Sequence, residues 1–256
     1  MYYGIIRSFK KERKVVAIIL AAGRSRRLGK LADSIPKPLI VVGDRPLLQH
    51  QLDIIRQCGI KEAIIVVGYK KEKIVETFGK EYNGVNLIYV TNDIYYKTNT
   101  VYSLWLTREY FRDTEFLYFN ADVLAHPEIV KRLLGSSKEN LMAVERKECG
   151  AEEVKVMCES DGRIKRIGKE LNPVECEGEF IGIAKFSRRM NSDFVDKLEE
   201  VINEGGEQNF FEEAVDRLLP QHCIYMEDIT ELPVVEIDFP EDLEFARNVV
   251  YPRINP

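Results

Sequence analysis

Short apolar runs alternate along the first half of the chain with segments whose apolar residues recur at helical spacing. The apolar runs predict strands at residues 15–22, 63–68, 86–90 and 115–119. The helical spacing predicts helices at residues 46–58, 70–81, 99–111 and 127–134, with Asn99 as an N-cap and Pro127 in a first turn. This alternation is typical of βαβ units and therefore favours a mostly parallel sheet.

The pattern changes after about residue 140, where short strands follow one another. Strands are predicted at residues 141–144, 153–158, 163–167 and 180–186, and Asp161-Gly162 predicts a hairpin turn. Helices at 191–204 and 209–219, strands at 223–226 and 234–237, and a helix from 240 to about 249 complete the chain. We therefore predict an α/β fold with three layers (αβα), a mostly parallel central sheet and a small antiparallel insertion.

The organisation of the chain favours one domain over residues 15–256, because no internal repeat or low-complexity linker interrupts it. Residues 1–14 are interpreted as an N-terminal extension. Four basic residues between positions 10 and 14 precede the first apolar run and imitate a signal peptide. That run has only eight residues, however, and Arg24 follows closely, so a buried strand fits it better.

The composition limits the classes of protein to which this chain can belong. Of its 256 residues, 45% are hydrophobic, which excludes disordered and fibrous proteins. A net charge of −5 gives no reason to expect nucleic-acid binding. The five cysteines form no CxxC pair, so a reduced, cytoplasmic protein is expected. No apolar stretch approaches the ~18 residues that a membrane span needs.

The loop after the first predicted strand combines small residues with a basic one. Ala21, Ala22 and Gly23 would allow backbone N–H groups to approach a ligand closely. Arg27 would offer a forked donor for phosphate oxygens. The simpler interpretation is a tight turn with a solvated group of arginines.

Lys37 stands between Pro36 and Pro38, which stiffen the backbone on both sides. Such bracing suits a lysine that must hold its ammonium at a fixed point. The alternative is an ordinary exposed lysine in a loop.

Two aspartates follow predicted parallel strands, Asp122 after the strand at 115–119 and Asp238 after the strand at 234–237. Open α/β sheets bind ligands at that edge, and paired carboxylates suit Mg²⁺. Each aspartate could instead be a turn or cap residue, and Pro240 makes Asp238 a match for an N-cap. The chain contains no P-loop, no G-x-G-x-x-G after the first strand and no zinc-ligand spacing.

Taken in order, these elements resemble the nucleoside-diphospho-sugar-pyrophosphorylase type of nucleotidyltransferase, particularly the small cytidylyltransferases. The motif L-A-A-G-x-G-x-R, a P-K pair, an acidic pair and a late aspartate have counterparts at residues 20–27, 36–37, 120–122 and 238. Ser25 departs from the pattern by replacing the second glycine. Asn120 departs by replacing the first acidic residue, which leaves Asp122 as the expected metal ligand. The resemblance spans residues 15–248 and implies a Rossmann-like fold.

Three further segments are similar to particular cytidylyltransferases. Residues 98–104 resemble the N-x-Y-S-L segment of phosphocholine, 2-aminoethylphosphonate and inositol-phosphate enzymes. Residues 163–171 are most similar to inositol-1-phosphate enzymes, whereas residues 178–182 resemble the wider group.

The resemblance implies a role for each matching residue. Arg27 and Lys37 would be catalytic and counter the charge of the triphosphate. The nucleotide would lie against Leu20, Ala21, Ala22, Gly23, Asn99, Thr100, Ser103 and Asp122. Asp122 and Asp238 would hold Mg²⁺, and Lys155 and Glu179 would bind the acceptor. Simpler interpretations stay open: Asn99 as a helix cap, Ser103 as a residue of that helix, and Lys155 as a solvent-facing strand residue.

The implied reaction transfers a cytidylyl group from CTP to inositol 1-phosphate, giving CDP-inositol and pyrophosphate. Phosphocholine, 2-aminoethylphosphonate or, further off, a sugar 1-phosphate are alternative acceptors. A non-catalytic nucleotide-binding regulatory subunit and a glycosyltransferase with a similar sheet are alternatives of other classes. The presence of all four charged motif residues opposes a regulatory subunit, namely Arg27, Lys37, Asp122 and Asp238. The loop at residues 20–27 opposes a glycosyltransferase. CTP, Mg²⁺ and a small phosphorylated alcohol are thus the expected ligands, and a homodimer is compatible with the sequence.

Overall fold

The computed structural model describes residues 14–29 and 34–254. Residues 1–13 of the predicted N-terminal extension lie outside these ranges. Lys14 is bonded to the rest of the fold: its backbone carbonyl accepts a hydrogen bond from Thr114 Oγ1 at 2.8 Å.

The strands of the described ranges fall into one large sheet and two small pairs. They are β1 (Val15–Ala21), β2 (Val41–Val42), β3 (Arg45–Pro46), β4 (Glu62–Val67), β5 (Glu81–Tyr82), β6 (Val85–Thr91), β7 (Glu115–Asn120), β8 (Val123–Ala125), β9 (Leu141–Glu145), β10 (Lys155–Cys158), β11 (Ile164–Gly168), β12 (Gly178–Phe186), β13 (Tyr225–Asp228) and β14 (Val234–Glu236).

The helices of these ranges connect the strands and cover the sheet. They are α1 (Leu47–Gln57), α2 (Lys71–Phe78), α3 (Thr100–Trp105), α4 (Arg108–Phe111), α5 (Pro127–Gly135), α6 (Asn191–Asn203), α7 (Glu212–Leu218), α8 (Pro240–Phe245) and α9 (Tyr251–Ile254). A π-helical turn at Ala246–Val250 joins α8 to α9, and 3₁₀ turns lie at Arg26–Leu28, Lys37–Leu39 and Pro173–Glu175. Within the described residues, no helix has the length and apolar character needed to span a membrane.

The centre of the large sheet is parallel, with strand order β7-β1-β4-β6. The chain builds outward from β1 to β4 and β6, and then returns to place β7 on the other side of β1. This reversal opens a crevice at the carboxyl ends of β1 and β7, the place where open α/β sheets bind ligands.

Helices cover both faces of the sheet, because successive side chains of a buried strand point to opposite sides. Ile19 packs in the apolar core beneath α1, α2 and α5, whereas Ile18 packs in the core beneath α3, α6 and α7. The predicted Rossmann-like three-layer fold with a mostly parallel sheet is therefore confirmed.

The predicted antiparallel insertion is built on the long strand β12. This strand runs antiparallel to β7 and also pairs with β9 and β10. Its register shifts between Phe180 and Ala184, and Gly182 in the shifted segment has φ +73°. The bulge allows one strand to serve both the central sheet and the insertion.

One predicted strand lies elsewhere than expected. The strand that ends before Asp238 was expected in the parallel sheet, but β14 pairs antiparallel with β8 in a separate two-stranded sheet. The prediction was wrong because a three-residue strand with two apolar residues carries no signal for its partner.

Two helices are shorter than their apolar patterns predicted. The helix at 70–81 ends at Phe78 because Gly79 adopts φ +63°, and β5 follows. The helix from Asn99 is interrupted at Thr107, whose buried hydroxyl donates a hydrogen bond to the carbonyl of Leu104 at 2.7 Å. Such a side-chain bond competes with the helical ladder.

We expect Gly182→Ala to destabilise the fold more than Gly59→Ala. Both glycines have positive φ. A Cβ at Gly182 would lie 2.6 Å from Asn120 Nδ2, whereas a Cβ at Gly59 would have no atom within 4 Å. The backbone strain costs about 1–3 kcal/mol at each site, and the collision adds to it at Gly182 only. Denaturant unfolding of both variants measures the difference, and equal losses would contradict this account of the bulge.

Candidate functional site

A cavity of about 950 Å³ opens at the carboxyl edge of the sheet. Its wall is formed by the loop after β1, the 3₁₀ turn at Lys37–Leu39, the turn after β7, the insertion, and the segment around β14. The structure brings most of the sequence-predicted site residues together on this wall, namely Leu20, Ala21, Ala22, Gly23, Arg27, Lys37, Asn99, Thr100, Ser103, Asp122, Glu179 and Asp238.

Lys37 lies at the centre of the charged part of the wall, with only 7% of its side chain exposed. Its Nζ is 2.8 Å from Asp122 Oδ2 and 2.7 Å from Asp238 Oδ1. The simpler interpretation of Lys37 as an exposed loop residue is therefore wrong. One ammonium joins the two carboxylates that the sequence placed at a metal site.

The environment of Lys37 favours its charged form. Burial alone would lower the pKa of Lys37, but the charges of Asp122 and Asp238 and the hydrogen bonds to both outweigh it. The pKa of Lys37 is consequently raised above its ordinary value. For Asp238, burial would raise the pKa, but the neighbouring Lys37 lowers it below the usual range.

Glu236 is a third carboxylate of this group, and the sequence reasoning did not identify it. Single oxygens of Asp122, Glu236 and Asp238 all lie within 4.8 Å of one another. Burial raises the pKa of Glu236 well above its usual range, and the charges of Asp122 and Asp238 raise it further. The spacing Glu236-x-Asp238 was the available signal, since alternate residues of an extended segment point to the same side.

The pairing of β14 with β8 holds these carboxylates together. In the register of the two strands, Glu236 lies opposite Val123, the residue that follows Asp122. The N–H of Ile237 donates a hydrogen bond to the carbonyl of Asp122 at 3.1 Å. The late aspartate therefore reaches Asp122 through this small sheet rather than through the parallel one.

The three carboxylates fit a hard divalent cation by their chemistry. They offer oxygen ligands on two opposite segments, and the Oδ1 atom of Asp122 is buried without a hydrogen-bond partner. A buried carboxylate oxygen without a partner is costly, and a bound cation would remove that cost. Asp122, Glu236 and Asp238 are the residues that could hold a metal in this cavity.

The side chain of Asp238 does not cap the final helix. The cap is made in the opposite direction, by the carboxylate of Asp242, which accepts hydrogen bonds from the N–H groups of Asp238 at 2.9 Å and Phe239 at 2.7 Å. The carboxylate of Asp238 is left to Lys37 and Arg27.

Arg27 bridges the two sides of the cavity. One Nη donates to Asp238 Oδ2 at 3.3 Å, and the other donates to Glu152 Oε2 of the insertion at 2.7 Å. The Arg27 side chain is 45% exposed, so a phosphate can reach it from the cavity. Exposed pairs of this kind are weak, and an anion can displace their carboxylates at little cost.

The loop after β1 keeps an open approach to the cavity. A Cβ on Gly23 would meet no atom within 4 Å, which leaves space beside the backbone. Ser25 adopts φ +54°, the left-handed region that glycine occupies without strain. The departure from glycine at this position therefore preserves the loop conformation at a small conformational cost.

Asn99, Thr100 and Ser103 line the cavity from α3, but each also has a structural role. Asn99 caps the helix, its Oδ1 accepting from Thr100 N at 2.9 Å. Thr100 Oγ1 accepts a hydrogen bond from Phe211 N at 2.9 Å, and Ser103 Oγ accepts one from Asn92 Nδ2 at 3.1 Å. Their contact with a nucleotide stays a prediction.

Of the two residues predicted to bind an acceptor, only Glu179 reaches the wall. Lys155 is 1% exposed, and its Nζ donates to the carbonyls of Lys169 at 2.6 Å and Glu153 at 3.1 Å instead. The simpler picture of a solvent-facing lysine is also wrong. Glu179 pairs with Lys147 Nζ at 2.5 Å, and Lys147 and Lys169 are the basic residues that the insertion contributes to the wall.

Asn120 serves the architecture of the site. Its Oδ1 accepts from the hydroxyl of Tyr118 at 2.6 Å, and its carbonyl accepts from Gln51 Nε2 at 2.7 Å. These bonds fix the turn that carries Asp122.

Comparison with known proteins shows the family to which this chain belongs. The family model for the MobA-like NTP transferase domain matches residues 17–168. A CMP-5'-(3-aminopropyl)phosphonate synthase of Streptomyces rubellomurinus is 29% identical over 89% of this chain, and a choline-phosphate cytidylyltransferase of Streptococcus pneumoniae is 42% identical over 36% of it. The matches span only 37% and 39% of the lengths of these two relatives.

A solved structure supports the fold independently. The inositol-1-phosphate CTP transferase of T. maritima superposes with a TM-score of 0.72 over 93% of this chain and 98% of its own, at 19% sequence identity. Similarity at that identity concerns the fold alone. Together with the family model, which matches more than half of the residues, it agrees with the resemblance drawn from the motifs. The chain belongs to the MobA-like NTP transferase domain family of nucleotidyltransferases.

Proposed function

We propose that this protein transfers a cytidylyl group from CTP to a small phosphate monoester or a small phosphonate and releases pyrophosphate. The observation that carries the proposal is the joint position of Lys37 and three carboxylates beside the loop Leu20–Gly23, in a cavity large enough for two substrates. The named relatives support cytidine as the base, since each acts on or makes a cytidylyl compound by its name.

The chemistry requires no general base from the protein. A phosphate monoester has a second pKa near ~6, so it is largely dianionic at neutral pH and a competent nucleophile. Its oxygen attacks the α-phosphorus of CTP, a new P–O bond forms, and the bond to the bridging oxygen breaks as pyrophosphate leaves with the electron pair. The three histidines of the sequence are absent from the cavity wall, which agrees with this chemistry.

Lys37 and Arg27 would align the triphosphate and neutralise charge as it develops. Lys37 is held at a fixed point by its two carboxylates, whereas Arg27 can leave Glu152 for a phosphate. Mg²⁺, held by Asp122, Glu236 and Asp238, would supply Lewis-acid polarisation of the phosphates. Asp122 and Asp238 would then share their charge between the ammonium and the metal.

The acceptor is the finer question. Inositol 1-phosphate, the acceptor implied by residues 163–171, stays a prediction, because the inositol-1-phosphate enzyme offers similarity of fold alone. Both sequence relatives are named for acceptors with a phosphoryl group and a nitrogen at opposite ends of a short chain. We therefore favour the alternative acceptor class, a small amine-bearing phosphate or phosphonate.

We expect pyrophosphate to form only when the protein, Mg²⁺, CTP and a phosphate or phosphonate acceptor are combined. The test incubates the protein with each of four nucleoside triphosphates against inositol 1-phosphate, phosphocholine, 2-aminoethylphosphonate and glucose 1-phosphate. Omission of the acceptor is the control, since hydrolysis of the triphosphate to the monophosphate would also release pyrophosphate. No pyrophosphate with any pair of substrates would overturn the proposal and favour a regulatory subunit.

We expect Asp238→Asn to lower turnover at limiting Mg²⁺ by about 100-fold or more, because a neutral amide is a poor ligand for a hard cation. Excess Mg²⁺ should restore part of the rate. Asp242→Asn is the matched control: asparagine caps a helix about as well as aspartate, so this variant should lose less than about 1 kcal/mol of stability and keep the wild-type Mg²⁺ dependence. Steady-state rates over a Mg²⁺ series measure both variants, and an unchanged Mg²⁺ requirement in Asp238→Asn would refute the metal role.

A further inference from the structure

Glu212 is a buried carboxylate on the wall of the cavity that the proposed chemistry does not use. It lies in the first turn of α7 and is 4% exposed. Its Oε2 atom is buried and has no hydrogen-bond partner. Burial raises the pKa of Glu212 to about 7, while the charge of Lys169 acts in the opposite direction. A buried carboxylate oxygen without a partner is costly to keep in such a place, so its presence points to a ligand.

The groups around Glu212 indicate what kind of ligand it would take. Phe180 and Phe210 lie on the same wall. The hydroxyl of Tyr118, a nearby donor, is engaged with Asn120 Oδ1 at 2.6 Å. Lys169 Nζ lies 4.5 Å from the centre of the Phe210 ring and also lines the cavity. Aromatic rings beside a carboxylate form a favourable environment for a cation.

The charge of the whole wall points the same way. Among the residues that the structure describes, nine carboxylates line the cavity against five lysines and arginines. Three of the nine, Asp122, Glu236 and Asp238, belong to the metal group, and Glu179 is paired with Lys147. Since a cavity built for polyanionic substrates should favour bases, the surplus of acids suggests that one substrate also carries a positive charge.

We propose that Glu212 binds a cationic nitrogen at the far end of the acceptor, so that the acceptor is a zwitterionic phosphate or phosphonate. This inference rests on the proposed transferase function and deepens it. A neutral polyol could donate a hydroxyl to Glu212, but it would bring no positive charge to stabilise the ionised carboxylate. An ammonium group supplies both the hydrogen bond and the opposite charge. Glu212 is thereby a residue that determines acceptor specificity.

The test compares 2-aminoethyl phosphate with n-propyl phosphate, which has the same length and carries a methyl group in place of the ammonium. We expect the wild-type kcat/KM to be about 10- to 100-fold higher for the amine, the range of one charge-assisted hydrogen bond. Glu212→Gln should lose most of this preference through a higher KM for the amine, with little change for n-propyl phosphate. Glu212→Asp, which retains the charge, should keep part of the preference.

Glu213→Gln is the matched control, because it removes the same charge one residue further along α7. Glu213 binds Asn209 and Arg217 and is absent from the cavity wall, so its variant should keep the preference for the amine. Equal use of both acceptors by the wild type, or a preference retained by a folded Glu212→Gln protein, would overturn the inference.

A failure of the transferase proposal would be recognised separately, as the lack of pyrophosphate with any acceptor. Titration calorimetry then decides the inference without turnover, with the two acceptors added to the wild type and to Glu212→Gln. We expect the amine to bind the wild type at least 10-fold more tightly than n-propyl phosphate, and the variant to bind both alike. Equal binding of both compounds by the wild type would contradict the assignment.

Discussion

The ammonium of Lys37 holds together carboxylates that would otherwise repel one another. Asp122 reaches it from the turn after β7, and Asp238 from the end of β14, both within 2.8 Å of Nζ. Glu236 lies beside them, and burial raises its pKa well above the usual range. Removing one partner from such a buried group is strongly destabilising, because it leaves the other charge buried and uncompensated. A divalent cation held by the same carboxylates, as proposed above, would place a second positive charge beside this ammonium.

The remaining elements of the fold position the charged residues around Lys37. The reversal of strand order between β1 and β7 places the small-residue loop and Asp122 on either side of one crevice. The small sheet of β8 and β14 then carries Glu236 and Asp238 back to that crevice. The bulge in β12 allows the insertion to form part of the cavity wall, to which the insertion contributes Glu179 and Lys147. In each case the pairing of backbone strands sets the position of the charged side chains.

The sequence predicted the layers well, because alternation of buried strands and amphipathic helices is a local signal. It also selected Arg27, Lys37, Asp122 and Asp238, which the structure brings together on the cavity wall, whereas their roles stay predictions. It could not place β14, since a three-residue strand with two apolar residues does not specify a partner strand. It missed Glu236 and Glu212 because a glutamate in a charged chain is indistinguishable from a solvated one until its burial is known. The prediction that Lys155 binds the acceptor was wrong because this lysine is buried. Its ammonium donates to backbone carbonyls inside the insertion, which the sequence does not indicate.

The most direct test of this account is the Mg²⁺ dependence of thermal unfolding in Lys37→Met, measured beside the wild type and Lys155→Met. Without Mg²⁺, Lys37→Met should lose about 3–5 kcal/mol, because its carboxylates keep no buried cation. Mg²⁺ should then raise its melting temperature more than that of the wild type, since the metal replaces the missing charge. Lys155→Met, whose lysine donates only to carbonyls, should lose stability without gaining a stronger response to Mg²⁺. An equal rise with Mg²⁺ in Lys37→Met and the wild type would contradict the account.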